Sequence, residues 1–198
     1  MKDAFEPKNT RDEILDATDR LLARYGYKKM TIEDLAQEVG IGKGSVYLHF
    51  SSKEEIALAH IDGIIDQLKT NLRAIASTDA PAEARLRQML AERVLYRFDS
   101  VLHYSQSLNE LLGVLRAELL ERRKRYFGEE TAILTRVIEQ GQADGSFGAG
   151  DATDLAKVLL IATNSLLPFS LSAVEFGERD ELKEQIEKTI DLLMRGLK

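Results

Sequence analysis

Cysteine is absent from this chain of 198 residues, and long apolar segments are scarce. Without cysteine there is no disulfide bond and no thiolate metal site, which is typical of proteins kept in a reducing cytoplasm. No apolar run follows Met1, so we expect no secretory signal and predict a cytoplasmic protein. The uncharged segment 158–174 contains several polar residues and falls short of the roughly 20 apolar residues that a membrane-spanning helix needs. No membrane association is therefore predicted.

Residue patterns that carry catalysis are also lacking. The three histidines, His49, His60 and His103, do not have the spacing of metal ligands, and we find no nucleophile motif. The glycine-rich stretch 40–45 resembles a phosphate-binding loop. That motif, however, requires glycine at position 37 and serine or threonine at position 44, where this chain has glutamine and glycine. We therefore predict that the protein is not an enzyme and that it holds no metal and no cofactor.

An excess of basic residues is missing as well. The formal net charge is -6, and residues 1–60 contain nine Lys and Arg against eleven Asp and Glu. The local distribution differs from this average, because the stretch 39–53 contains no acidic residue at all. Since DNA meets only one face of a protein, the sign of the charge on that face matters more than the total. The acid-free stretch is thus the part of the chain best suited to DNA phosphates.

The segment 31–50, with the sequence TIEDLAQEVGIGKGSVYLHF, has the pattern of two short helices joined by a tight turn. Thr31 is a suitable N-cap for the first helix, whose apolar residues recur at helical spacing and are Ile32, Leu35, Ala36 and Val39. Gly40 can take the left-handed conformation that ends this helix, and Val46 and Phe50 are the apolar positions of the second. Outward positions of the second helix carry small or hydrogen-bonding residues that suit a DNA groove: Lys43, Gly44, Ser45, Tyr47 and His49. An interhelical turn that serves only for packing is the alternative, because short motifs often match by chance.

Both flanks extend the pattern. Upstream, the range 11–25 is predicted to be an amphipathic helix that Gly26 ends, with Thr10 and Glu13 forming a capping box at its start. The apolar side of this helix comprises Ile14, Leu15, Thr18, Leu21, Leu22 and Tyr25. Downstream, the sequence SSKEEI at 51–56 forms another capping box and begins a further helix.

The order and spacing of these residues resemble the N-terminal DNA-binding domain of the tetracycline-repressor (TetR) family of transcriptional regulators. The resemblance covers 11–58 and includes the strings ILDAT, LLARYGY, TIEDLAQEVGIGKGSVYLHF and SKEEI. It implies an all-α fold with a three-helix, helix-turn-helix DNA-binding domain at 1–51 and a helical ligand-binding and dimerisation domain at 52–198. It also implies a regulator that binds palindromic double-stranded DNA as a homodimer and is released by a small organic effector, most simply as a repressor.

The resemblance further implies roles for residues that match the family's motif. Contacts with DNA phosphates are implied for Thr31, Tyr47, His49 and Lys53. Contacts with base edges are implied for Lys43, Gly44 and Ser45, and of these only Lys43 has the reach for a guanine edge. Leu48 could contact a thymine methyl group. Tyr47 could equally pack partly into the domain core and still offer its hydroxyl.

In the remainder of the chain, apolar periodicity predicts helices over 52–75, from Pro81 onward, over 101–108 and over 109–143. Asp151 is expected to cap a further helix that continues into segment 158–174, and its uninterrupted apolar character predicts burial on several sides. The basic cluster 122–125 is either a nucleic-acid patch or a solvated helix face. Nearby glutamates at pairing distance favour the second.

The last helix repeats apolar residues at heptad-like intervals, which predicts a seam between helices. Together with the resemblance, this predicts a dimer interface formed by Leu166, Leu182, Ile186, Ile190 and Leu193. A ligand pocket is expected among Met89, Phe98, His103, Tyr104, Leu112, Asn164 and Phe169. His103 could equally lie at a solvent-facing bend, and Asn164 and Phe169 could equally serve dimer packing. Because this set is mostly apolar, the expected effector is uncharged or weakly charged.

The alternative to a regulator is an all-α enzyme or interaction protein that uses the helix-turn-helix only for packing. Binding to the DNA that flanks the protein's own gene separates the two hypotheses.

Overall fold

The computed structural model describes residues 9–102, 105–167 and 178–198, and for 105–109 it describes the backbone alone. The described residues form α-helices and contain no strand, so the predicted all-α class is confirmed. The helices are α1 Thr10–Lys29, α2 Ile32–Val39, α3 Lys43–His49, α4 Lys53–Ala76, α5 Ala82–Val101, α6 Ser105–Val114, α7 Arg116–Ala143, α8 Ala152–Thr163 and α9 Arg179–Arg195, with a 3₁₀ turn at Asn164–Leu166. In the described part of the chain, no helix combines the length and the apolar character needed to cross a membrane.

The chain divides into two compact units. Unit 1 comprises the described residues of Met1–Gly63 and His103–Leu119, and unit 2 comprises those of Ile64–Leu102 and Leu120–Lys198. The division falls within α4 and not after residue 51, where the sequence placed it. Unit 1 also takes in α6, which is distant in sequence from α1 to α3.

Unit 1 is built around α1, which packs against both α2 and α6. The cap of α1 is the Asn9 side chain, which accepts a hydrogen bond from the Asp12 amide, so the capping box predicted from Thr10 and Glu13 is wrong. Gly26 has a φ of 75° and breaks the helix, as predicted, but one more turn follows it as far as Lys29. Tyr27, in this turn, is buried in the core. Tyr25, which was predicted to lie on the apolar side of α1, is exposed.

The border between α6 and α7 lies at Leu115 and not at residue 108. Leu111 and Leu115 are both buried, and α6 contacts α1, so these leucines belong to the core of unit 1. The sequence prediction failed here because the apolar periodicity continues from α6 into α7. Only one residue, Leu115, separates the two helices.

Unit 2 has a continuous apolar core. Leu86, Met89, Leu90 and Val94 of α5 are fully buried in it, together with side chains from α4, α7, α8 and α9. The Asp151 side chain caps α8 by accepting from the Asp154 amide, as predicted. Phe147 fills the space above Gly141, where a Cβ atom would lie 2.2 Å from the ring, so this glycine is required by packing.

Four of the five residues predicted for the dimer interface, Leu166, Leu182, Ile186 and Ile190, are buried within the protomer itself. Leu182, Ile186 and Ile190 are 1 to 3% exposed because they pack against α5 and α8 of the same chain. Leu166 is likewise buried in this core, while Leu193 is partly buried against it. The heptad-like repeat does mark the packed side of α9, but that side packs against helices of the same protomer.

Segment 158–174 is also not a single buried helix. α8 ends at Thr163, and residues 168–174 lie outside the described part of the chain. Val158 and Ile161 of α8 are 57% and 60% exposed. One face of α8 therefore carries large apolar side chains that nothing in the described part of the protomer covers.

Candidate nucleic-acid interface

Thr31 caps the N-terminus of α2, as predicted, and it does so in a capping box with Asp34 that was not predicted. The Thr31 hydroxyl accepts from the Asp34 amide at 3.1 Å, and the Thr31 amide donates to the Asp34 carboxylate at 2.9 Å. The hydroxyl proton is also used, because Oγ1 donates to the same carboxylate at 2.7 Å. Within the free protein, the phosphate contact implied for the Thr31 hydroxyl therefore competes with Asp34.

The turn between α2 and α3 depends on Gly40. This residue has φ 79° and ψ 30°, the left-handed conformation that costs a residue with a side chain free energy. It allows the amides of Gly40 and Ile41 to donate to the Ala36 carbonyl, both at 2.9 Å. The last carbonyls of α2 are thus satisfied, and the chain can reverse into α3 over three residues.

The two buried residues Val46 and Phe50 hold α3 in place, being 0% and 2% exposed. The Arg11 guanidinium lies 5.0 Å from the centre of the Phe50 ring and covers it from the side of α1. The opposite side of α3 faces solvent: Lys43, Gly44, Tyr47, Leu48 and His49 are exposed, and Ser45 is half-buried. Leu48 is 85% exposed and Tyr47 48% exposed, so the tyrosine is not a core residue of the protomer.

Lys43 has a partner that the sequence analysis missed. Its ammonium group donates to the carboxylate of Glu33 in the first turn of α2. This hydrogen bond raises the pKa of Lys43 and lowers the pKa of Glu33. The two residues are ten positions apart, and only the crossing of α2 over α3 brings them together, so no local signal in the sequence could reveal the pair.

Lys53 serves mainly within unit 1. Its ammonium group donates to the carbonyls of Tyr27 and Met30 at 3.1 and 3.3 Å and lies 4.5 Å from the centre of the Tyr27 ring. Two of its three donors are therefore engaged, and they connect the start of α4 to the end of α1. Burial and the neighbouring Glu54 raise the pKa of Tyr27 to about 12, so its hydroxyl stays protonated and donates to Glu54 at 3.3 Å.

The residues predicted to form a ligand pocket are only partly brought together. Met89 and Phe98 are buried in the core of unit 2, whereas Leu112 belongs to unit 1. Asn164 accepts a hydrogen bond from the buried Arg93 at 2.6 Å. His103, Tyr104 and Phe169 lie outside the described residues.

The chemistry around Asn164 is an ionic cluster that sequence reasoning did not find. Arg93 of α5 donates to Glu130 of α7 at 2.7 Å and to Thr163 of α8 at 2.9 Å. Arg97 donates to the other oxygen of the same carboxylate at 2.5 Å. Burial, opposed by Glu130, lowers the pKa of Arg93 to about 10, which still leaves its guanidinium charged at neutral pH. This cluster therefore joins three helices of unit 2, α5, α7 and α8.

In unit 1, a capped helix and a tight glycine turn hold a short second helix, α3, whose exposed outward side contains no acidic residue. This is the arrangement of a helix-turn-helix protein that reads DNA. Comparison with known families identifies the class more closely. Residues 14–60 match the family described as bacterial regulatory proteins, tetR family, and residues 82–188 match the tetracyclin repressor-like C-terminal domain. The chain belongs to the TetR family of DNA-binding transcriptional regulators, which are not enzymes.

Individual relatives support this assignment. The chain is similar to the HTH-type transcriptional repressor KstR2 of Rhodococcus jostii, with 30% identity over 149 residues that cover 74% of this chain and 72% of the relative. Among solved structures, a TetR transcription regulator from Haloarcula marismortui superposes with a TM-score of 0.76 at 24% identity, covering 94% of this chain and 97% of that one. The regulator FadR from Bacillus subtilis, solved in complex with stearoyl-CoA, superposes with a TM-score of 0.71 at 17% identity, covering 94% and 99%. The structural neighbours establish the fold.

Proposed function

We propose that the protein is a repressor that binds a two-fold symmetric duplex as a homodimer, with α3 of each protomer in the major groove, and that a small organic molecule releases it from DNA. The outward surface of α3 carries this proposal. It is exposed, free of acidic residues and held in place by the Gly40 turn, Val46 and Phe50. The naming of the Rhodococcus jostii relative as a repressor supports the sign of regulation.

The roles on α3 follow from reach and exposure. Tyr47 and His49 are exposed hydrogen-bonding groups suited to phosphates. Leu48 is a nearly fully exposed apolar side chain at the centre of this surface, which suits a thymine methyl group. Gly44 has open space where a Cβ atom would be, so the chain itself does not require glycine there. We assign its role to the close approach of backbone and DNA.

The homodimer is supported by an uncovered apolar face of unit 2. Val158 and Ile161 are one turn apart on α8, and Leu192 of α9 is 71% exposed. Large apolar side chains exposed in this way mark interaction surfaces, since water contact with them is unfavourable. Because α8 and α9 pack against each other, both can contribute to one interface with a second copy. This face replaces the buried stripe that the sequence suggested.

Release by a small organic effector is assigned to unit 2, because residues 82–188 match the C-terminal domain of the family. This unit combines an apolar core with the buried Arg93–Glu130–Arg97 cluster, which is compatible with a ligand that carries both apolar and polar groups.

The test is to measure subunit number by light scattering and binding to duplexes by fluorescence anisotropy. We expect a dimer that prefers a selected duplex with half-sites about 34–36 Å apart, or a multiple of that distance, over random duplex. Ile161→Glu should produce monomers and weaken binding by about 100-fold or more, because two linked half-sites are no longer bound together. Thr153→Glu adds the same charge at an exposed polar position of α8 and should have little effect. A wild-type monomer at micromolar concentration, or equal affinity for both duplexes, contradicts the proposal.

A further inference from the structure

The ion pair between Glu33 and Lys43 joins two places that both lie at the N-terminal ends of helices in the helix-turn-helix. Lys43 is the first residue of α3, and Glu33 lies in the first turn of α2. The Lys43 side chain is 47% exposed and the Glu33 side chain 65% exposed, so the pair lies on the surface and not in the core of unit 1. It contributes little to folding, as exposed ion pairs generally do.

The second acidic residue in this turn has a different task. Asp34 is used by the capping box with Thr31, which fixes the start of α2. Glu33 reaches instead toward α3, and its carboxylate holds the lysine that has the reach for a guanine edge. The acid-free stretch 39–53 thus has one of its cations neutralised by a residue outside it.

We infer that Glu33 is a specificity-determining residue, which restrains Lys43 in the free protein so that the lysine contributes to selected DNA and not to random DNA. The inference rests on the proposed function, in which α3 enters the major groove. On random duplex Lys43 can only exchange the Glu33 carboxylate for a phosphate. That exchange replaces one anion by another and leaves Glu33 unpaired beside the phosphates. At a guanine, N7 and O6 are two hydrogen-bond acceptors for Lys43, and together they compensate for the loss of the Glu33 carboxylate.

The restraint also has a signature in salt dependence. Each cation that neutralises a phosphate releases counterions, and the slope of log K against log salt grows by about 0.9 for each such contact. A lysine held by Glu33 releases no counterion on random duplex. Freeing Lys43 in both protomers of a dimer therefore adds about two contacts and steepens the slope by about 2.

The test compares two variants that change the charge equally. Glu33→Gln and Glu38→Gln both remove one negative charge from α2, but Glu38 pairs with Arg20 and Arg24 of α1 and not with Lys43. Binding of a selected duplex and a scrambled duplex of the same composition is measured over a salt series. We expect Glu33→Gln to tighten binding to scrambled duplex by about 10-fold, with a slope steeper by about 2, and to change selected duplex by less than about 3-fold. Glu38→Gln should change both duplexes equally and slightly.

The outcomes separate this inference from the proposed function. Adding Lys43→Met to Glu33→Gln should abolish the tighter binding to scrambled duplex. Glu33→Ala should have the same effect as Glu33→Gln, and it excludes a residual hydrogen bond from Lys43 to the glutamine side chain. If Lys43→Met weakens selected duplex but Glu33→Gln behaves like Glu38→Gln, Glu33 acts only through its charge and the inference is overturned while the proposed function stands. If Lys43→Met leaves binding to both duplexes unchanged, Lys43 does not contact DNA and the inference fails, whereas the proposed function fails only if the wild-type protein binds the selected and the scrambled duplex equally. Equal melting temperatures establish that the variants are folded.

Discussion

Two exposed glycines of the helix-turn-helix, Gly40 and Gly44, illustrate how backbone conformation decides what a residue does. Gly40 has the positive φ of the turn, whereas Gly44 lies inside α3, and at neither position would an added Cβ atom come within 4 Å of a neighbour. Space is therefore equal at the two positions. Only the conformation differs, and it predicts opposite effects for the same substitution.

Gly40→Ala should destabilise unit 1 by about 1–2 kcal/mol, because a side chain in the left-handed region clashes with the following carbonyl. Gly44→Ala should stabilise it by up to about 1 kcal/mol, because alanine has the higher helix propensity. Thermal melting followed by circular dichroism at one fixed chain concentration measures both. Loss of stability in Gly44→Ala, or none in Gly40→Ala, contradicts the assignment of the turn.

Single residues were predictable where their role is local. The caps at Thr31 and Asp151 and the turn at Gly40 depend on neighbours within four positions, and all three are confirmed. The cap at Thr10 was wrong because Asn9, one residue earlier, offers a competing acceptor. Partners distant in sequence could not be predicted. Nothing in the residues around Lys43 or Lys53 indicates that the fold places the Glu33 carboxylate beside the first and two backbone carbonyls beside the second.

At the scale of helices, the structure shows what periodicity can and cannot establish. The repeat on α9 correctly indicated a buried stripe, but a stripe does not reveal whether its cover belongs to the same chain or to a partner. Several helices of unit 2 have similar stripes, and the choice among them is made by packing. The exposed apolar pair on α8 was hidden in the sequence because segment 158–174 is uniformly uncharged.

The contact that distinguishes α5, α7 and α8 from other packed helices is the buried cluster of Glu130 with Arg93 and Arg97. Glu130→Gln should destabilise unit 2 by about 3–5 kcal/mol, because two buried guanidiniums lose their counter-ion. Glu121→Gln, on the exposed side of α7 with Lys124 as partner, should cost no more than about 0.5 kcal/mol. Urea unfolding at neutral pH measures the difference.

The same cluster predicts a dependence on pH. Burial raises the pKa of Glu130, but the two arginines outweigh it and hold the pKa below its ordinary value of 4.5. The carboxylate's contribution to the free energy of unfolding is therefore fully present above 4.5 and is lost as the pH falls through the folded value. Wild type and Glu130→Gln should converge in stability in that acid range. A difference that stays constant there shows that the charge of Glu130 is not the cause.

For the whole molecule, the relevant feature is that α4 begins in unit 1 and continues into unit 2 without an intervening loop. A repressor that a ligand releases must transmit a free-energy difference between the unit that binds DNA and the unit that binds the ligand. By linkage, a ligand that weakens DNA binding about 5- to 150-fold is itself bound more weakly by the same factor when DNA is present.

This reciprocity gives the whole-molecule prediction. A compound that raises the melting temperature of the free protein should bind the DNA complex more weakly, by the factor with which it lowers DNA affinity. Calorimetric titration of the free protein and of the complex measures the two factors. A compound that binds unit 2 with equal affinity in both states contradicts release by that ligand and leaves DNA binding intact.

The separation of charge between α3 and the rest of the molecule has a consequence for purification. With a net charge of -6, the protein is retained by an anion-exchange resin at neutral pH, as an ordinary acidic protein is. Heparin, a sulfated polymer, presents a row of negative groups as DNA does, and the acid-free stretch 39–53 is the surface suited to it. Retention on both columns under one buffer condition is therefore a property of folded protein, because unfolding disperses the exposed hydrogen-bonding and cationic side chains of α3 while the total charge stays the same.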